Sequence, residues 1–133
     1  IGFSFSTLEE NLRRQLERRA NPVKKRLDAL RMVHRRGVRN YLFISPIFPF
    51  LTDWKAIIRR TRNFVDYYLF ENLNVAGSVW GPVKRWIKLE HPHLAETYHD
   101  IYFGDSPYWE EVEGEIMDYG HDEGLEFQIY FHH

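Results

Sequence analysis

The sequence predicts an α/β protein built on a parallel sheet, and two observations carry that expectation. Helical stretches and β-rich apolar runs alternate in the order helix, Gly, strand, Pro-containing loop, cap, helix, strand, the pattern of βαβ units with right-handed crossovers. The chain of 133 residues, 44% hydrophobic and 17% aromatic, has the size and apolar content of one globular domain.

Phe3 and Phe5 with their small neighbours read as a buried strand. Ser6 or Thr7 ahead of Glu9 and Glu10 reads as a helix N-cap with acidic first-turn residues. Leu8, Leu12 and Leu16 then form one apolar stripe. Pro22 restarts the chain in a second helix, with Val23, Leu27, Leu30 and His34 on one side and Gly37 as its left-handed cap. Val38 to Ser45, bounded by Pro46 and Pro49, reads as a buried strand. Thr52 or Asp53 caps a helix that turns Trp54, Ile57, Ile58, Thr61, Phe64 and Val65 to the core, and Tyr67 to Leu73 follows as a third strand. Beyond Gly77 the pattern predicts short helices over Pro82 to Leu89 and Pro92 to Phe103. A longer helix follows Ser106-Pro107, and an alternating strand from Leu125 to Phe131 has one wetter face. The expected organisation is residues 1–77 as one part and 78–133 as an extension packed on it, in a single structural unit. An apolar strand that opens the chain leads us to expect that an upstream part of the fold is missing.

Net charge is −1, but it is unevenly placed: residues 1–62 carry 15 basic and 5 acidic side chains, residues 63–133 carry 3 and 14. That excludes a uniformly basic polyanion binder. The absence of cysteine excludes disulfides, thiolate zinc sites and a cysteine nucleophile. No apolar run reaches the length of a membrane span, so no membrane partner is expected.

Ligands of parallel α/β folds gather beyond the carboxyl ends of the strands. Ser4, Ser6 and Thr7 end the first strand, Ser45 to Pro49 the second, and Glu71, Asn72 and Asn74 the third. Glu71 and Asn72 suit a ribose diol or a polar substrate, with a satisfied turn as the competing reading. Arg18 and Arg19 lie in a connector, where a guanidinium binds a carboxylate or is simply solvated. The basic set Arg13, Arg14, Lys24, Lys25, Arg26, Arg31, Arg35, Arg36 and Arg39 reads as a nucleic-acid contact or as the wet face of two helices. His91, His93 and His99 match no ligand spacing, and His132-His133 read as a terminus or tag remnant rather than a metal site. No metal site is expected.

The strings Gly2-Phe3-Ser4-Phe5-Ser6-Thr7-Leu8, Glu17-Arg18-Arg19-Ala20, Arg26-Leu27-Asp28-Ala29-Leu30, Pro46-Ile47-Phe48-Pro49, Thr52-Asp53 and Phe70-Glu71-Asn72-Leu73-Asn74 resemble the C-terminal half of a radical S-adenosylmethionine protein. The nearest branch is the spore-photoproduct-lyase-like or DNA-repair-photolyase-like one. The resemblance implies a parallel-stranded half of a partial (β/α)6 TIM-like barrel, with a helical C-terminal extension and a final strand. It also implies S-adenosylmethionine and a 4Fe-4S cluster as cofactors of the parent enzyme, a lyase-like activity and a cytoplasmic location. Ser4 and Ser6 would lie near the methionine part or ribose of the cofactor, and Arg19 near its carboxylate. Ile47, beside Ser45, would flank adenine, and Glu71 with Asn72 would face ribose or substrate. Without the cysteine loop the chain would be inactive alone and would need the missing N-terminal half of the barrel as its partner. Two other expectations stand beside this one: a non-enzymatic nucleic-acid or protein binding module using the basic first half, and a homodimer formed through the exposed sheet edge.

Overall fold

The computed structural model describes residues 1–132. Its elements are β1 (Gly2–Phe5), α1 (Glu10–Leu16), α2 (Val23–Arg35), β2 (Tyr41–Ile47), α3 (Trp54–Thr61), β3 (Tyr67–Asn72), α4 (Trp80–Glu90), α5 (Ala95–Phe103), α6 (Tyr108–Asp122) and β4 (Phe127–Ile129), with 3-10 turns at Gly77–Val79 and Pro92–Leu94. The strands form one sheet in the order β1-β2-β3-β4, and every neighbouring pair is parallel. The expected α/β class with a parallel sheet is therefore what the chain adopts.

Parallel neighbours need a crossover, and crossovers are right-handed because a right-twisted strand lets its helix pack back only that way. Three successive crossovers stepping in one direction place their helices on one face. That face carries Phe5, Leu42, Ile44, Tyr68 and Phe70, which share a core with Leu27 and Leu30 of α2, Ile57 and Ile58 of α3, and Val112 and Ile116 of α6. The strand residues between them, Tyr41, Phe43, Tyr67 and Leu69, are half-buried on the face the helices leave uncovered.

Residues 78–132 do not form one layer. Helices α4 and α5 build a second cluster, Ile87 and Tyr98 against Phe48, Leu73 and Val75, over the loops that follow β2 and β3. Helix α6 and strand β4 return to the first core, where Gly120 of α6 admits the Phe127 ring so closely that a Cβ there would stand 2.2 Å from it.

Local chemistry explains where the elements differ from their predicted bounds. Helix α1 begins at Glu10 with no side-chain cap: the Thr7 hydroxyl accepts from Glu9 N at 3.0 Å, and Ser6 is drawn into the sheet. Asp53, rather than Thr52, caps α3 by accepting from Ala56 N at 3.0 Å. Gly37 takes φ 70°, the left-handed conformation that ends α2, and Val38 still bonds back to Val33 O. Strand β2 starts only at Tyr41 because buried Asn40 is committed elsewhere. It receives Asp66 N on Oδ1, gives Nδ2 to Phe64 O, and donates its own N–H to Asp66 Oδ2, locking the start of β2 to that of β3. At its other end β2 outruns Ser45: after a register irregularity between Ile44 and Ile47, Ile47 pairs with Asn72.

Candidate functional site at the strand ends

The uncovered face is graded from one end of the strands to the other. At the amino ends Gly2, Tyr41 and Tyr67 lie side by side, the two tyrosine rings stacked at 5.2 Å with the Arg39 guanidinium over Tyr67. The next row holds Ser4, Phe43, Leu69 and Gln128. Beyond it, at the carboxyl ends, every strand contributes a polar group to one line of hydrogen bonds.

Ser4 and Ser6 of the β1 end donate through Oγ to Ser45 O, at 3.3 and 3.0 Å. Ser45 Oγ donates to Glu71 Oε1 at 2.6 Å, and Glu71 Oε2 lies 3.1 Å from His132 Nε2, just past β4. The Ser45 hydroxyl, helped by His132, holds the Glu71 carboxyl below the ordinary carboxylate range against an opposing contribution from burial. Asn72 is 2% exposed and clamps the main chain of His132 both ways, Nδ2 to His132 O at 2.9 Å and His132 N to Oδ1 at 2.7 Å.

A second, drier cluster braces the β1 end. Glu17 Oε1 accepts from Ser6 N at 3.3 Å, and the carboxylate takes two N–H groups of Arg26, at 2.8 and 3.2 Å. Arg26 also donates to Ser4 O at 2.6 Å and to Asn21 O at 3.1 Å, and lies 4.3 Å from the centre of the Phe5 ring. Both side chains of the pair are largely buried.

Comparison with known proteins adds one relative. Over 96 residues, 72% of this chain, the sequence is 35% identical to an uncharacterized protein of Methanocaldococcus jannaschii. The matched stretch spans 36% of that protein's length. No family profile matches the chain, and no solved structure matches it.

Of the residues singled out in the sequence, Ser4, Ser6, Ser45 and Glu71 meet in one network. Asn72 joins it through the backbone it positions, both atoms of its amide being engaged there. Ile47 lies in the helix-covered core at 1% exposure, and what it offers beside Ser45 is backbone: its carbonyl accepts from Leu73 N at 3.0 Å. Arg19 stays exposed in the turn between α1 and α2, and the guanidinium that reaches the strand ends is that of Arg26. Asn74 is a turn residue, its Oδ1 accepting from Ala76 N.

Sequence reasoning missed Glu17, Arg26 as a site residue, and His132. The three lie 9 to 115 positions apart in the chain and become neighbours of the strand ends only through the sheet. Of the other histidines, His91 shares Gln15 Oε1 with the Trp86 indole, so its Nε2 carries the proton. Among the described residues no group of three or more His, Cys, Asp or Glu is placed to hold a metal ion, and no helix is long and apolar enough to cross a membrane. Within the basic set, Arg13 pairs with Glu10, Arg26 with Glu17, Arg31 with Asp28 and Arg39 with Glu126.

Proposed function

We propose that this chain is the C-terminal half of a radical S-adenosylmethionine partial barrel of the spore-photoproduct-lyase-like branch, supplying part of the cofactor and substrate site. The observation that carries this reading is the graded, uncovered face of the sheet. A sheet wound in one direction, aromatic at its amino ends and hydroxyl- and carboxylate-bearing at its carboxyl ends, suits a barrel wall that is packed at the bottom and does its chemistry at the top.

A 4Fe-4S cluster needs thiolates, and the chain has none, so the cluster does not fit these residues and would be held by the rest of the protein. S-adenosylmethionine bound at a cluster held there would supply radical chemistry. The residues of this chain hold and orient. Glu71, kept ionised, offers acceptor oxygens to ribose or substrate hydroxyls, and the Ser4 and Ser6 hydroxyls fix the end of β1 against β2. Asn72 sets the position of His132 beside Glu71, and Arg26 caps the β1 carbonyl at Ser4. The upstream half-barrel is the partner we assign to the open edge of β1, in the place of a second copy of this chain. An oxygen-sensitive cluster goes with a cytoplasmic location.

The test is anaerobic cluster reconstitution of the longer protein that includes a cysteine-bearing half, followed by reduction and measurement of 5'-deoxyadenosine. We expect cofactor cleavage, and Glu71→Gln weakening cofactor or substrate affinity by about tenfold, the size of one charge-assisted hydrogen bond. A cluster-loaded intact protein that leaves the cofactor whole overturns the reading. The nucleic-acid reading is the weaker one because four of the nine cations it invokes are already paired within the chain. It would return if affinity for DNA or RNA fell steeply with salt.

A further inference from the structure

The helix layer, on the far side of the sheet from the uncovered face, carries its charge in two opposed ridges. In each crossover the helix runs back against its strands, so α2, α3 and α6 lie side by side in that order and point the same way. The buried positions fix what each helix turns outward. With Trp54, Ile57, Ile58 and Thr61 in the core, α3 keeps Lys55 and Arg59 in water. With Val112, Ile116 and Gly120 in the core, α6 keeps Glu111, Glu115, Asp118 and Asp122 there. Lys55 and Arg59 are one turn apart, as are Glu111 and Glu115, so each set forms a continuous ridge.

At their carboxyl ends the ridges are tied by Arg62 and Glu123, 3.2 Å apart. Nearer the amino ends they part around an open groove of about 460 Å3, with Lys55 on one side and Glu111 and Glu115 on the other. Among the described residues no ion pair joins Lys55 or Arg59 to a carboxylate, or the four acidic side chains of the α6 ridge to a cation. Phe50 stands at the head of the groove, 62% exposed and held at φ 60°, a left-handed conformation that residues with a Cβ rarely take. Its N–H donates to the Tyr108 hydroxyl at 3.2 Å and its ring leans on that of Tyr108 at 4.8 Å, so the exposed ring is held in place. A fixed aromatic side chain rimmed by uncompensated charge has the make-up of an interface, an anchor within a polar border.

From these observations we propose that the α3–α6 face binds a second copy of this chain in a symmetric dimer. The charge gradient selects the symmetry. Charge changes sign across the helices and not along them, so a two-fold axis that follows the groove, parallel to the helices, lays the basic ridge of each copy on the acidic ridge of the other. An axis across the helices would set like charges against like. Residues beside the axis meet their own counterparts, which closes the two Phe50 rings on each other. A second copy suits the face because each chain already carries both ridges, opposite in sign and side by side, within a net charge of only −1. The contact is two helices wide, which puts the dimer in the weak, concentration-dependent class. It uses neither the open edge of β1 nor the strand-end network, so it does not depend on the radical reading.

Sedimentation velocity of the intact protein, at concentrations up to about 0.1 mM, tests the dimer. We expect reversible dimerisation that weakens about tenfold from low to high salt. Two charge-reversed variants probe the ridges: Lys55→Glu with Arg59→Glu, which leaves both ridges acidic, and Glu111→Lys with Glu115→Lys, which leaves both basic. Each alone should be monomeric, and an equimolar mixture should recover a dimer, a result that misfolding of either variant cannot produce. Phe50→Gly, which suits the left-handed backbone, should unfold near the parent's temperature and dimerise about tenfold more weakly. A parent that stays monomeric, its face then left to some other partner, overturns the proposal. So does a dimer indifferent to both charge reversals, or a mixture of the two variants that does not assemble. Either result leaves the cofactor-cleavage reading where it was.

Discussion

Replacing Glu17 with Ala should destabilise the protein more than loss of any surface ion pair. The Glu17 and Arg26 side chains are 14% and 12% exposed, so removing the carboxylate leaves a guanidinium stranded in a mostly dry setting beneath the end of β1. Breaking one partner out of a buried pair costs about 3–5 kcal/mol, and the residual exposure argues for the lower end, about 3 kcal/mol. Part of that is the Ser6 N–H, which loses its acceptor at roughly 1 kcal/mol. For a chain of this length the unfolding entropy is on the order of 0.3 kcal/mol per kelvin, so Tm should fall by about 10 °C. Urea unfolding of Glu17→Ala, Arg26→Met and the double variant, followed by circular dichroism, gives both the cost and the coupling. The double variant should recover about 1–2 kcal/mol relative to the sum of the singles, because Met fills the space over Phe5 without a charge to strand. A Glu17→Ala cost below about 1 kcal/mol, or strict additivity of the two substitutions, would refute the argument that this pair braces the β1 end.

Two other outcomes follow from the geometry. The Glu71 carboxyl is held below its ordinary range in the folded state, so its contribution to stability is complete above the unfolded carboxyl pKa and disappears as pH falls through the folded one. Ser45→Ala removes the largest cause of that depression; the stability difference between Ser45→Ala and the parent should be present at neutral pH and shrink in acid, and a difference that stays constant down to about pH 3 would contradict it. Gly120→Ala gains roughly 1 kcal/mol of helix propensity but pushes a methyl group into the Phe127 ring, so thermal unfolding should show net destabilisation of about 1–2 kcal/mol, whereas a more stable variant would mean that β4 repacks freely.

Much of the fold is legible in local chemistry. Gly37 ends a helix because few other residues accept φ 70° there, Asp53 starts one because its carboxylate meets Ala56 N, and the alternation of Leu42, Ile44, Tyr68 and Phe70 marks buried strands at period two. Those signals act over a few residues and survive in any tertiary setting. Ser45 and Glu71 could be picked out as strand-end residues for the same reason, since their place follows from where their own strands stop.

The partners of those residues are a different matter. Glu17 reads as one more charge on an amphipathic helix and His132 as a chain terminus, yet one braces Ser6 and the other closes the line of hydrogen bonds at Glu71. Arg19 and Arg26 are alike in composition and near in sequence, but only Arg26 sits on the turn of α2 that faces β1. The sequence by itself determined which segments become strands and helices, because caps, turns and hydrophobic periods are local. Only the tertiary structure decided which polar groups meet and which face of the sheet stays uncovered, because those follow from the registers and crossovers that bring distant residues within a hydrogen bond of one another.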